Sequence, residues 1–151
     1  MDRTGLHFKR LGEEDGAATR KLFASVFTEE PWNDDWSDSK QLDAYLHDLT
    51  GQSNSLAFGL YEGSELVCLS LGRVKHWYTG TEYCIDEFCV QTARQGQGLG
   101  GLFMEKIEAA CKDRGMTHIF LLTDRDVPAY GFYRKLGFYE LESNVAFAKK
   151  L

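Results

Sequence analysis

The segment Gln95-Gly96-Gln97-Gly98-Leu99-Gly100-Gly101 constrains this chain more than any other. It lies between an apolar, strand-like run and a stretch of helical periodicity, so it reads as the turn of a strand–turn–helix unit. Glycine admits positive φ and lets the backbone come close to a ligand. The first amides of the helix that follows have no internal partners and carry partial positive charge. Together these features make a cradle suited to a phosphate. A tight turn with close helix–strand packing has the same composition, so the glycines alone do not decide. No Lys-Ser/Thr pair follows them, which excludes a Walker A loop. A dinucleotide fold places such a turn after its first strand, whereas here it follows an antiparallel section.

The rest of the 151-residue chain supplies that context. Residues 5–11 read as a first strand. Residues 13–27 read as a helix with Ala18, Leu22 and Val26 on one face and Glu13, Glu14 and Asp15 in its first turn. A polar loop, 28–38, leads to a second helix with Leu42, Tyr45, Leu46 and Leu49 at helical spacing and Gly51 as its stop. Residues 55–62 and 65–73 form a hairpin around Glu62-Gly63-Ser64, and 81–91 make a longer third strand. The helix after the glycine turn runs to about Arg114, with Leu99, Leu102, Phe103, Ile107, Ala110 and Cys111 inward. Thr117–Thr123 reads as a strand buried on both faces. Asp126–Leu136 reads as a helix with Pro128 in its first turn and Gly137 past its end. Residues 138–149 are expected to hold one or two closing strands. The strand–turn–helix–strand crossover makes residues 82–91 and 117–123 parallel neighbours. The fold class is therefore α/β (α+β), one domain over residues 1–151, with a mixed, mostly antiparallel sheet flanked by helices.

Charge and cysteine usage narrow the function. The net charge is −6; residues 1–93 carry a balance of −8 and residues 94–151 a balance of +2. An acidic chain is a poor partner for nucleic acid. No apolar run reaches bilayer length, and Met1-Asp2-Arg3-Thr4-Gly5 does not lead into a secretory h-region, so a cytoplasmic, membrane-free setting is expected. Cys68, Cys84, Cys89 and Cys111 lie in apolar stretches without a CxxC and read as reduced, buried thiols. His7, His47, His76 and His118 are scattered, so no metal site is expected.

The strand Glu87-Phe88-Cys89-Val90, the turn Gln95-x-x-Gly98-x-Gly100, and Ala129-x-x-x-Tyr133-x-x-x-Gly137-Phe138 together resemble the GNAT superfamily of acyl-CoA-dependent N-acyltransferases. The motifs cover roughly residues 55–140. The resemblance implies a V-shaped opening where the two parallel strands splay. There the pantetheine arm of acetyl-CoA would bond the backbone of Phe88, Cys89 and Val90, and its pyrophosphate would rest on the amides of Gln95, Gly96, Gln97, Gly98, Leu99, Gly100 and Gly101. Ala129 and Tyr133 would border the cofactor. By the resemblance Asp126 would also border the cofactor, where the family often has Asn; its carboxylate still serves as an N-cap, but it has no side-chain amide to offer the cofactor. GNAT domains are often dimers, which makes a homodimer an expectation by analogy.

Moving an acetyl group to an amine requires a neutral nucleophile, stabilisation of the carbonyl oxygen and a proton for the departing thiolate. By the resemblance, Tyr133 is the candidate acid, with an aromatic core position as the competing reading. Glu87 is the candidate base, directly or through water, against a solvated strand carboxylate. Asp86 points to the opposite face in a regular strand, and a bulge would change that parity. The Cys89 or Val90 amide is the expected oxyanion donor. Cys89 lacks a His/Asp pattern, so direct transfer is favoured over an acyl-enzyme.

The loop Glu29-Glu30-Pro31-Trp32-Asn33-Asp34-Asp35-Trp36-Ser37-Asp38 holds five carboxylates and no basic residue. Glu30, Trp32, Asp34, Asp35 and Trp36, with Glu87, are the candidate acceptor residues, since carboxylates attract a cation and Trp faces hold an ammonium. A solvated acidic loop with one Trp in the core is the competing reading. The expected function is acetyl transfer from acetyl-CoA to a primary amine of a cationic small molecule, aminoglycoside- or polyamine-like. The alternatives are a protein or peptide amine, or a module that only binds acyl-CoA.

Overall fold

In the computed structural model, which describes residues 3–151, the apolar runs at 55–62 and 65–73 join the strands expected at 5–11, 81–91 and 117–123 in one five-stranded sheet in the order β1-β2-β3-β4-β5. The strands are β1 (Leu6–Arg10), β2 (Ser55–Glu62), β3 (Glu65–Trp77), β4 (Gly80–Val90) and β5 (His118–Leu121). The first four pair antiparallel, and β4 with β5 is parallel, as the crossover requires. The helices are α1 (Gly16–Phe27), entered through a 3-10 turn at Glu13–Asp15, α2 (Ser39–Thr50), α3 (Leu99–Asp113) and α4 (Pro128–Lys135). Residues 1 and 2, part of the N-terminal stretch read above, lie outside the described residues. Among the described residues no helix is long and apolar enough to cross a membrane.

The strand periodicity of two sorts side chains onto two faces. On one face, Leu56, Phe58, Leu60, Tyr83 and Ile85 pack against Leu99, Phe103, Met104, Ile107 and Cys111 of α3. On the other, Leu69, Leu71 and Cys89 pack against Leu22, Phe23, Val26 and Phe27 of α1 and Leu42 and Leu46 of α2. Asp38 starts α2 by accepting hydrogen bonds from the Lys40 and Gln41 amides at 3.0 and 3.2 Å. Its carboxylate is therefore a helix cap.

One irregularity matters for the site. The β3–β4 register shifts between Leu71, opposite Glu87, and Gly72, opposite Ile85, which leaves Asp86 as an extra residue in β4. Tyr83 and Ile85 face α3 before this bulge; Phe88 and Val90 face it afterwards. Glu87 and Cys89 are thereby turned toward α1 and α2, and Glu87 meets the α2 side chain Tyr45. A Cβ on Gly72 would lie 2.4 Å from the Cys84 carbonyl oxygen, so only glycine fits where the strands crowd together.

Several expectations need correction. Residues 138–149 form no strand in the described structure. Glu140 accepts a bond from Tyr130 at 2.9 Å and pairs with Arg125 at 2.6 Å, which ties the start of this segment to α4 and the turn before it. β5 is consequently the outermost strand; it is shorter than expected and only partly buried, not covered on both faces. Asp126 does not cap α4. Pro128 occupies its first turn and holds the preceding Val127 extended, at φ −115° and ψ 156°, so the N-cap falls one residue later. β3 runs four residues beyond the expected stop at Arg73, and on α3 Met104 is buried while Leu102 and Ala110 are only partly so.

Candidate active site

β5 ends at Leu121, opposite Ile85, whereas β4 continues to Val90. Past Ile85, β4 keeps its β3 partner and has no ladder partner on the β5 side. The parallel strands thus part at the bulge, and a cleft of about 500 Å³ opens there. Ile85, Asp86, Glu87 and Phe88 of β4 form its floor. Leu121, Leu122, Thr123 and Asp124 form one wall, Ala129 and Tyr133 of α4 another, and Phe27, Trp32 and Asp34 a third. Ala146 closes one corner.

The carboxyl of Glu87 accepts a hydrogen bond from the Tyr45 hydroxyl at 2.6 Å. Burial raises its pKa above the ordinary value; the Tyr45 bond pulls it back, and the nearby Asp34 and Asp86 push it up again. A raised carboxyl is a better proton acceptor at neutral pH than a solvated one. Asp86, in contrast, is gripped by Arg73 at 2.7 and 2.8 Å. Both carboxylates line the same cleft, because the bulge removed the strict alternation that would have put them on opposite faces.

The Tyr133 ring stands edge-on to Phe88, Phe132 and Phe138, with centroids 6.1, 5.2 and 5.4 Å away. Its hydroxyl has no hydrogen-bond partner among the described residues. Burial raises its pKa strongly, and the neighbouring Cys89 and Glu87 add to the rise, so it stays a proton donor at neutral pH. Cys89 is 5% exposed, and burial first, then Cys68 and Glu87, hold its thiol protonated.

The glycine turn lies beyond the far end of β4. Gly98, at φ +79°, is the left-handed N-cap of α3, and no side chain caps that helix. The leading amides of α3 therefore face outward without an internal acceptor. Gln95 to Gly98 are exposed, and a Cβ built on Gly96 or Gly98 would meet nothing within 4 Å. Arg94 holds the approach in place through an ion pair with Glu62 and a 3.1 Å bond to Gln97. The Gln95 side chain donates from Nε2 to the Val90 carbonyl at 3.1 Å. An open, uncapped helix mouth reached along an unpaired strand edge fits a diphosphate carrying an extended arm.

The loop residues separate. Trp32 and Asp34 line the cleft. Trp36 stacks on Tyr45 with centroids 5.2 Å apart and an interplanar angle of 14°. Asp35 accepts the Ser37 amide at 3.0 Å. Glu30 is exposed and Asp126 is exposed, and neither lines the cleft. Sequence reasoning missed Tyr45 as a site residue. Its signal was a hydroxyl on the apolar stripe of α2, where a buried phenol needs a partner. Among the described residues no group of three or more His, Cys, Asp or Glu side chains is arranged to hold a metal ion.

Comparison with known proteins agrees with this geometry. A comparison with curated proteins finds no match. Among solved structures, the chain is similar to an aminoglycoside acetyltransferase from an uncultured soil metagenomic sample, in complex with sisomicin; identity is 25%, 97% of each chain is covered and the TM-score is 0.76. It shares its fold with a possible acetyltransferase from Clostridium difficile 630, at 14% identity, 97% and 98% coverage and a TM-score of 0.81. The same holds for an aminoglycoside 6'-N-acetyltransferase from Acinetobacter haemolyticus, at 20% identity, 96% and 99% coverage and a TM-score of 0.72. Residues 17–138 match the acetyltransferase (GNAT) family, and with a splayed β4–β5 pair and an open helix mouth at the end of β4, the chain belongs to that family of acetyltransferases.

Proposed function

We propose that this acetyltransferase moves an acetyl group from acetyl-CoA directly to a primary amine of a cationic small molecule, of aminoglycoside or polyamine type. One observation carries the acceptor class: the cleft is lined by Asp34, Asp86, Glu87 and Asp124 beside Trp32, with no Lys, Arg or His in its lining. Such a wall attracts polycations and gives the Trp face to an ammonium. The 25% identity to a sisomicin-bound aminoglycoside acetyltransferase supports the same reading.

When bound, acetyl-CoA supplies the activated thioester carbonyl. The leading amides of α3, with Gln95 to Gly101, hold the diphosphate, and Phe88, Cys89 and Val90 hold the arm along the free edge of β4. Asp126, next to Val127 at the start of α4, and Ala129 border it from the α4 side. Glu87 takes the proton from the acceptor ammonium, leaving a neutral amine to attack. The Cys89 or Val90 amide stabilises the carbonyl oxygen. Tyr133 delivers the proton that leaves with sulfur. The protonated, buried Cys89 supports direct transfer over an acyl-enzyme.

Four buried, free cysteines support a cytoplasmic setting. Exposed Leu122, Val145 and Phe147, together with the open edge of β5, support self-association as a homodimer, which sedimentation would detect.

The test is thiol release from acetyl-CoA across a panel of aminoglycosides, polyamines and peptides with free amines. Turnover should concentrate on the polycations and weaken in Asp34→Asn through a higher acceptor KM. Turnover confined to peptides contradicts the acceptor class. Coenzyme A binding without turnover on any amine makes the chain a binding module.

A further inference from the structure

We propose that Tyr45 is a positioning residue for the reaction: its hydroxyl fixes the carboxylate of Glu87 toward the cleft and keeps it ionised there. The inference rests on the reading of Glu87 as the base.

Three observations carry it. The 2.6 Å bond from Tyr45 joins residues 42 positions apart in sequence and spans from α2 to the β4 bulge. A short, charge-assisted bond of this kind is worth roughly twice a neutral one. The Tyr45 ring is itself held: Trp36 stacks on one face at 5.2 Å, and Phe23 lies 5.9 Å away. The phenol therefore has little freedom to follow Glu87 elsewhere. Finally, among the described residues Tyr45 is the only side chain that donates a hydrogen bond to Glu87.

The groups facing Glu87 otherwise oppose its ionisation. Asp86 on its own strand and Asp34 from the α1–α2 loop push its pKa up, and Asp124, past the end of β5, adds no positive charge to the cleft. Cys89 on β4 is buried, Tyr133 on α4 is partly buried, and both are neutral. Arg73 is committed to Asp86, and among the described residues no cation pairs with Glu87. Only Tyr45 favours the carboxylate, and burial works against it. A second consequence is that the acceptor loop and the base are mechanically linked. Trp36 braces Tyr45, while Trp32 of the same loop lines the cleft.

The experiment is Tyr45→Phe, which keeps the stacked ring and removes one oxygen. Two readouts are taken. The Glu87 carboxyl is titrated by NMR with carboxyl-labelled glutamate, and kcat/KM for the best amine is measured against pH. The Glu87 pKa should rise by about one unit, and the acidic limb of the rate profile should move up with it. The dissociation constant for coenzyme A and the melting temperature should stay within error. A Glu87 pKa that does not move, or a limb that stays put while the pKa moves, overturns the proposal. Glu87→Gln separates this from the underlying reading: full activity in that variant removes Glu87 as base, while the NMR titration still reports whether Tyr45 governs the carboxyl.

Discussion

Arg73 donates from one guanidinium nitrogen to both carboxylate oxygens of Asp86, at 2.7 and 2.8 Å, while Glu87 beside it has no cationic partner among the described residues. Two adjacent carboxylates in one cleft therefore have opposite electrostatic settings. Asp86 is compensated, and Glu87 is left to accept a proton.

The sign of the coupling gives a prediction. Asp86 raises the Glu87 pKa. In Asp86→Asn that influence is gone and Arg73 is freed, so the acidic limb of kcat/KM should move to lower pH, by less than about one unit. In Arg73→Met, Asp86 acts uncompensated, and the limb should move to higher pH. Profiles of both variants against the parent decide it; movement in the same direction contradicts the arrangement.

Tyr133→Phe keeps the ring contacts with Phe88, Phe132 and Phe138 and removes the proton. Its kcat should fall by about 10²-fold or more, with the coenzyme A dissociation constant unchanged. Glu87→Gln should fall similarly, and its residual rate should no longer decline on the acid side. A Tyr133→Phe enzyme of full activity, measured by thiol release, removes Tyr133 as the acid.

Stability should carry its own acid dependence, set far from the cleft. Asp15 is 5% exposed. Burial alone would raise its pKa, but the Gly12 amide, the Tyr61 hydroxyl and Lys9 hold it below the ordinary value. A depressed carboxyl adds stability above its unfolded pKa, and that stability is lost as pH falls through the folded one. Denaturation curves should show this loss below about pH 4, the unfolded range for Asp. Asp15→Ala should cost about 2 kcal/mol at neutral pH and flatten the dependence. The Tyr61 hydroxyl, pushed up to about 12 chiefly by burial and then by Asp15, stays a donor throughout.

Much of this architecture was legible because local rules agreed. The apolar runs 55–62 and 65–73, the turn between them at Gly63 and the strand–turn–helix junction at Gly98 were each readable from local pattern. The parallel pairing of β4 and β5 followed from the crossover between them. What was not legible depends on contacts between distant residues. The bulge at Asp86 lies beside Gly72, where the Cys84 carbonyl comes too close for any side chain, a contact that no spacing in β4 reveals. The Tyr45–Glu87 bond joins two elements whose relative placement is set by the core. Residues 138–149 alternate like a strand, yet Glu140 is drawn to Tyr130 and Arg125, and a strand pattern does not name its partner. The start of α4 at Val127 was readable in principle, since Pro128 restricts the residue before it.

The account depends most on the open mouth of α3. Calorimetric titration of the protein with coenzyme A and with pantetheine, which lacks the diphosphate, tests it directly. Coenzyme A should bind saturably, and pantetheine more than about tenfold more weakly, because the outward amides then have no anion to hold. Equal affinity for the two ligands, or no heat with coenzyme A, would contradict it.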